Sequence, residues 1–126
     1  MLTPSALEAC CAAKPGAVRQ TPFGPVPVCY KVGGKVFAQI YPYAGDYKVT
    51  LKCSPDESAL FRSLYPQAVV RGYHCPPVQQ PYWNTVYVER INEGVLLDMI
   101  DIAYRRVIEK LPQKVRKSLF PEDVLP

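Results

Sequence analysis

The clearest pattern along the chain is a strict alternation between residues 48 and 53. Apolar residues alternate with polar and cationic ones there, as Lys48, Val49, Thr50, Leu51, Lys52 and Cys53. A period of two predicts a β-strand with one apolar and one cationic face. Before it, residues 28 to 32 and 35 to 41 are rich in β-branched and aromatic types and are separated only by Gly33-Gly34, which predicts a hairpin with a two-residue turn.

Two further strands are predicted over residues 69 to 74 and 83 to 89, which have a similar composition. The segment between them, Cys75 to Tyr82, contains three prolines. Proline lacks the backbone N–H that a central strand needs, so this connector is expected to be a rigid, exposed loop.

Helices are predicted from capping residues and from apolar positions spaced three and four apart. Ser54 and Glu57 form a capping-box pattern, and Asn92 is a typical N-cap before an apolar stripe at helical spacing. The predicted helices run over about 4 to 13, from 55 to near 65, from Asn92 to about 111, and from Pro112 to Leu119.

The order of these elements is α-β-β-β-α-β-β-α, with one short helix added at the end. It predicts an α+β fold: a two-layer sandwich in which helices cover one face of an antiparallel sheet of about five strands. The 126 residues, of which 48% are hydrophobic, supply one core and not two. A single domain over 1 to 126 is therefore expected.

The hairpin pattern leaves open which face of the sheet is buried. Pairing across Gly33-Gly34 places Tyr30 and Phe37 on one face, and both faces are partly apolar. If helices cover only one face, these aromatic residues could form an exposed surface for a homodimer or for base stacking. Alternatively, the chain's own loops cover the aromatic residues.

The chain is mildly basic, with 15 Lys and Arg against 11 Asp and Glu and a net charge of +4. The excess lies between Arg105 and Lys117, where six cations stand against Glu109 alone. Such a patch is typical of a surface for a polyanion, although cations near a helix C-terminus also complement the helix dipole. The candidate phosphate-binding residues are Lys31, Lys35, Lys48, Lys52, Arg71, Lys114, Arg116 and Lys117.

The five cysteines are an odd number with no C-x-x-C spacing, which argues against a disulfide framework and is typical of a reducing cytoplasm. Their spacing also lacks the paired loops of structural zinc sites, so neither a metal nor a cofactor is expected. No apolar run approaches the roughly 18 to 20 residues of a membrane span, and no secretion signal is recognisable at the start of the chain.

Residues for a common catalytic mechanism are missing, and a non-enzymatic protein is expected. His74 is the single histidine, and its neighbour Cys75 would point the opposite way along a strand. No phosphate-binding glycine loop is present. The densest cluster of unusual side chains is His74, Trp83 and Asn84, a candidate ligand site; alternatively, Trp83 anchors the core and Asn84 caps local backbone.

Several strings resemble the MmcQ/YjbR family of small bacterial proteins. In chain order they are KPGA, PFGP, YKVGGKVFAQI, VTLKCSPDES, GYH, WNTV and LPQKVRK. The resemblance implies a fold compared with that of CyaY and with type III secretion chaperones, and a proposed double-wing DNA-binding motif. It implies no catalytic residues. The segment PPVQQPY (76–82) departs from the shorter, more basic segment usual in the family, so no basic role is carried over to it.

Three functions are therefore expected as alternatives. The first is DNA binding without sequence preference, in which hairpins and basic residues neutralise phosphates. The second is a protein-interaction or chaperone-like module that uses the open sheet face. The third is a small-molecule or drug-binding protein, which requires an apolar pocket near His74 and Trp83.

Overall fold

Six strands form one antiparallel sheet with the order β1-β2-β3-β4-β6-β5 in a computed structural model that describes residues 1–121. The strands are β1 (Val18–Gln20), β2 (Val28–Val32), β3 (Lys35–Tyr43), β4 (Asp46–Lys52), β5 (Val69–Arg71) and β6 (Trp83–Tyr87). The helices are α1 (Pro4–Ala12), α2 (Pro55–Leu64), α3 (Glu93–Glu109) and α4 (Gln113–Leu119), and short 3₁₀ turns cover Gln80–Tyr82 and Val88–Arg90. The predicted α+β sandwich is confirmed.

The predicted strand count was one too low. The additional strand is β1, which pairs with β2 at one edge of the sheet. All three of its residues are exposed, so it has no apolar alternation from which a strand could be predicted.

The predicted starts of α2 and α3 are confirmed by their side-chain caps. Ser54 Oγ accepts a hydrogen bond from the Glu57 N–H at 3.2 Å, and the Glu57 carboxylate accepts one from the Ser54 N–H at 2.8 Å. Asn92 Oδ1 accepts the Gly94 N–H at 2.8 Å. These bonds satisfy amides that have no partner within the helix.

The core lies between the helices and one face of the sheet. The buried side of α3 packs across β3 and β4 through residues such as Leu96, Ile100 and Ala103. The opposite face of the sheet carries Cys29, Gln39 and Thr50 in one row across neighbouring strands. Loops, rather than helices, pack over this opposite face of the sheet.

Of the alternatives left open for Tyr30 and Phe37, the exposed aromatic surface is wrong. A bulge lets Tyr30 pair with Ala38 while Lys31 pairs with Val36, so Phe37 is an extra residue on β3. Both aromatic side chains lie in the core, and the Phe37 ring meets that of Tyr104 edge-on at 5.5 Å. These two residues therefore offer no surface for a homodimer or for stacking on bases.

Candidate functional site

The face of the sheet opposite α3 holds a pocket of about 580 Å³ lined in large part by aromatic residues. We refer to it as the aromatic pocket. Its lining residues are Phe23, Val26, Pro27, Gln39, Tyr41, Tyr43, Tyr73, His74, Cys75, Pro76, Gln79 and Trp83. Six of these twelve residues carry aromatic rings, so the lining is mostly apolar. The glutamine side chains, the tyrosine hydroxyls and the imidazole add a few polar groups.

The floor of the pocket is built by strand periodicity. Gln39, Tyr41 and Tyr43 occupy alternate positions on β3 and therefore point to the same face of the sheet. Trp83 begins β6 and pairs across the sheet with Lys52. The alternation of Tyr41 and Tyr43 is visible in the sequence. It could be interpreted as the floor of a pocket only once loops were known to enclose this face of the sheet.

One wall is the proline-rich loop 21–27, which contributes Phe23, Val26 and Pro27. The other wall is the segment 72–79, which is held in place by hydrogen bonds. Thr85 Oγ1 accepts the Tyr73 N–H at 2.7 Å, and the Cys75 carbonyl accepts the Gln80 side-chain amide at 3.2 Å. The predicted connector thus forms part of a site.

Gly72 lets this second wall approach β6 closely. A Cβ atom at position 72 would lie 2.6 Å from Cys75 Sγ and 2.8 Å from Trp83 Cβ. Both distances are shorter than carbon and sulfur atoms tolerate, so a larger residue would push the wall away from the tryptophan. His74 follows with φ of +59°, a left-handed conformation that is uncommon for residues other than glycine.

A buried ammonium group lies beside the floor of the pocket. Lys48 Nζ is 4.3 Å from the centroid of the Tyr73 ring and 5.3 Å from that of Tyr41, and it is paired with the Asp46 carboxylate. Tyr41 and Tyr73 meet edge-on at 5.1 Å. Because Lys48 is only 2% exposed, its predicted role as a phosphate contact was wrong.

Lys52 occupies the Trp83 end of the same face. Its Nζ lies 4.9 Å from the Trp83 ring centroid and 5.2 Å from that of Tyr82. Lys110, at the end of α3, places its Nζ 5.4 Å from the same Tyr82 ring. Burial, together with the positive charge of Lys110, lowers the pKa of Lys52.

The predicted ligand cluster is divided between the two faces of the sheet. His74 and Trp83 line the aromatic pocket. Asn84 points to the helix side, where its Oδ1 accepts hydrogen bonds from Arg62 Nε at 2.7 Å and from Ser58 Oγ at 3.1 Å. Placing Asn84 in the ligand cluster was therefore wrong.

The predicted phosphate-binding cations also do not form one surface. Lys31 and Lys35 flank the β2–β3 turn, which packs against the start of α4: a Cβ on Gly33 would lie 2.7 Å from Leu111 Cδ1 and 3.2 Å from Val115 Cγ1. The turn and α4 thus place five cations at one end of the molecule, namely Lys31, Lys35, Lys114, Arg116 and Lys117. We call this group the hairpin–helix patch.

Arg71 lies on β5, at the opposite edge of the sheet from the hairpin–helix patch. Three strands separate it from β2, a distance of roughly 19 Å at the usual strand spacing. Among residues 1–121, no member of the patch forms an ion pair.

Cys11, Cys53 and Cys75 lack the features of activated nucleophiles. Burial raises the pKa of Cys11 to about 12 and that of Cys53 to about 11. Burial also raises the pKa of Cys75, which lines the pocket, although Lys52 and Arg62 act in the opposite direction. A thiol with a raised pKa stays protonated at neutral pH and is a poor nucleophile.

Across the part of the chain that the structure describes, no three His, Cys, Asp or Glu side chains lie close enough together to hold a metal ion. In the same residues, no helix has the length and apolar character needed to cross a membrane.

The architecture defines a class of small α+β proteins with an open antiparallel sheet, and comparison identifies the family. The family model described as YjbR matches residues 12–106, and the chain belongs to that family. The Escherichia coli O157:H7 protein described as "Uncharacterized protein YbdF" is 33% identical over 101 residues, which cover 79% of this chain and 80% of that protein. The pocket-lining residues, from Phe23 to Trp83, all fall within the matched range, whereas α4 lies outside it.

Two solved structures share the fold. The Deinococcus radiodurans protein DR2400, described with a DUF419 domain, superimposes with a TM-score of 0.86 at 24% identity and covers 99% of this chain and 93% of its own. A Pseudomonas syringae protein gives a TM-score of 0.55 at 15% identity, over 71% of this chain and 86% of its own. At these identities, the likeness shows the fold alone.

Proposed function

We propose that this protein binds a small planar aromatic molecule in the aromatic pocket and does not convert it chemically. The observation that carries the proposal is the lining itself: six aromatic rings around about 580 Å³, on a face that no helix of residues 1–121 covers. This volume lies within the roughly 300–1,000 Å³ usual for small-molecule sites. Aromatic side chains gain about 0.5–1.5 kcal/mol per ring contact beyond simple area burial.

The pocket also contains its own reporter, because Trp83 is the single tryptophan of the chain. A planar compound that stacks near Trp83 will change its emission, and saturation-transfer NMR detects the same binding from the side of the compound. We expect micromolar to millimolar binding from a panel of one-ring and two-ring aromatic compounds.

Phe23 and Val78 form a matched pair of test positions. Both are exposed apolar side chains on loops, at 74% and 77%, but only Phe23 lines the pocket. Replacing Phe23 with alanine removes one ring and should weaken binding about fivefold, which corresponds to about 1 kcal/mol. Val78→Ala should leave the affinity unchanged. If no compound binds, or if both variants behave alike, the proposal is wrong.

DNA binding is a second candidate, and the hairpin–helix patch is the specific observation in its favour. Five cations at one end of the molecule, with no ion-pair partner among residues 1–121, can contact phosphates. If all five do so, log K for duplex DNA should fall against log salt with a slope of about −4 to −5.

Fluorescence anisotropy with a labelled duplex at several salt concentrations tests this second candidate. Reversing the charges of Lys114, Arg116 and Lys117 together should flatten the slope by about three. Arg71→Glu is the control, because it reverses one exposed cation at the far edge of the sheet. Equal losses in both variants, or no binding at low salt, would rule out a DNA site on the patch.

A further inference from the structure

The charged groups near the aromatic pocket include lysines, whereas none of its twelve lining residues is acidic. Two lysines of β4, Lys48 and Lys52, lie against rings that line it. Lys48 already has a counter-ion in Asp46, whereas Lys52 forms no ion pair with any residue between 1 and 121.

Lys52 has an unfavourable environment for a cation without a counter-ion. Its ammonium group is partly buried against the Trp83 and Tyr82 rings, and the Tyr82 ring also carries Lys110. Burial and the like charge of Lys110 both disfavour the protonated form, and the lowered pKa of Lys52 reflects this. The ring faces compensate only in part, since a cation–π contact is weaker than a paired charge.

An anionic group next to the Lys52 ammonium would supply the counter-ion that this lysine lacks. It would neutralise two ammonium groups at once and replace water that Lys52 has partly lost. The indole of Trp83 lines the pocket, and its ring centroid is 4.9 Å from the Lys52 ammonium. A planar ring in the pocket and an acidic substituent near Lys52 can therefore belong to one small molecule.

We propose that the ligand of the aromatic pocket is a planar aromatic acid, whose anionic oxygen group binds at Lys52 with support from Lys110. This inference rests on the proposed function, because it assigns a chemical class to the ligand of the same pocket. Lys48 makes no direct contact with the acid, since it is buried and already paired with Asp46.

Three compounds of nearly equal shape separate the contributions of ring and charge. 2-Naphthoate and 2-naphthyl phosphate carry an acid, and 2-naphthamide carries a neutral group of similar size. Calorimetric titration at pH 7 should give at least about tenfold tighter binding for the acids than for the amide, and the affinity of the acids alone should fall with salt. The order of the two acids then tells whether a carboxylate or a phosphate is preferred.

Lys52→Met provides the site-specific test, because methionine keeps an unbranched apolar stem and removes the charge. It should lower the affinity for the acids to that for the amide and leave the affinity for the amide unchanged. Lys52→Arg should restore most of the preference for acids. Arg105→Met, which removes an exposed charge from α3, is the control and should change neither affinity.

The outcomes distinguish the two proposals. If none of the three compounds binds, the aromatic pocket is not a ligand site and both proposals fail. If acids and amide bind equally and Phe23→Ala weakens all three, the pocket is the ligand site but the acid preference is wrong. The same conclusion follows if Lys52→Met, with an unchanged melting temperature, retains the tighter binding of the acids.

Discussion

Arg62 Nε donates a 2.7 Å hydrogen bond to Oδ1 of Asn84, and this bond links α2 to the start of β6. The same guanidinium donates to the carbonyls of Gln80 at 2.8 Å and of Trp83 at 3.1 Å. One side chain from the helix layer therefore fixes the backbone that presents Trp83 to the pocket on the opposite face.

Asn84→Ala should destabilise the fold by about 2–3 kcal/mol. The substitution leaves Arg62 Nε and the Ser58 hydroxyl without their acceptor in a buried setting. Urea unfolding measures the change in stability. Gln79→Ala truncates an exposed amide side chain nearby and should change stability by less than about 0.5 kcal/mol. Similar values for the two variants would contradict a structural role for Asn84.

Glu57 should contribute to acid sensitivity. Burial favours its protonated form, but hydrogen bonds from Arg106 and from the Ser54 backbone outweigh burial, and the pKa of Glu57 is lowered from its usual value near 4.5. Because the pKa of Glu57 is lower in the folded state than in the unfolded state, its ionised carboxylate stabilises the fold fully when the pH is above the unfolded-state pKa. This stabilisation is lost as the pH falls through the folded-state pKa. Glu57→Gln should therefore lower stability at pH 7 by about 1–2 kcal/mol and make it less dependent on pH below about 4.5.

Glu109→Gln is the matched control for Glu57→Gln. Glu109 pairs with the same Arg106 at 2.8 Å, but it is 56% exposed where Glu57 is 17% exposed. An exposed ion pair contributes roughly 0–1 kcal/mol. Unfolding curves measured from pH 7 to pH 3 should show the larger effect for Glu57→Gln, and the reverse order would disprove the assignment.

The buried Tyr41 should lower the stability of the fold at alkaline pH. Burial, with smaller effects from Cys29 and Tyr73, raises the pKa of Tyr41 to about 12. A raised pKa in the folded state means that the stabilisation is complete below the ordinary value near 10 and is lost as the pH rises towards 12. Tyr41→Phe removes this ionisation and should move the midpoint of alkaline unfolding upward. Tyr43→Phe, at a half-exposed position of the same floor, should not move it.

Gly72→Ala should alter the pocket itself. The added methyl group would press on Trp83 Cβ and Cys75 Sγ, so the wall 72–79 must move outward. We expect a loss of about 1–3 kcal/mol in stability, a shift in Trp83 emission and weaker binding of aromatic compounds. Gly34→Ala, where a Cβ meets no atom within 4 Å, should leave emission and binding unchanged. Unaltered emission in Gly72→Ala would show that the close contact does not shape the pocket.

Local patterns predicted most of the helices and strands correctly. Ser54 and Glu57 lie three residues apart, and Val49 and Leu51 alternate with polar neighbours, so the sequence alone contained the signals for α2 and β4. In contrast, the exposed β1 has no such pattern, and the bulge at Phe37 changes which residues share a face. A bulge depends on tertiary packing, which a period of two does not encode.

The site could be predicted only in part. His74 and Trp83 were identified as unusual residues of one region, and they do meet in the aromatic pocket. The burial of Lys48 was not predictable, because its strand alternates as if that face were open to solvent. Proline content indicates that 21–27 and 75–82 are not central strands, but it carries no information on the surface against which a loop folds.

The two edge strands of the sheet, β1 and β5, offer little backbone for pairing with another molecule. β1 and β5 are each only three residues long, and each carries an arginine, Arg19 or Arg71. A strand from a neighbouring molecule could form few backbone hydrogen bonds along such an edge and would meet a charged side chain there, either Arg19, which is paired with Glu8, or Arg71. The edges of the sheet are thus poor templates for the addition of strands from other molecules.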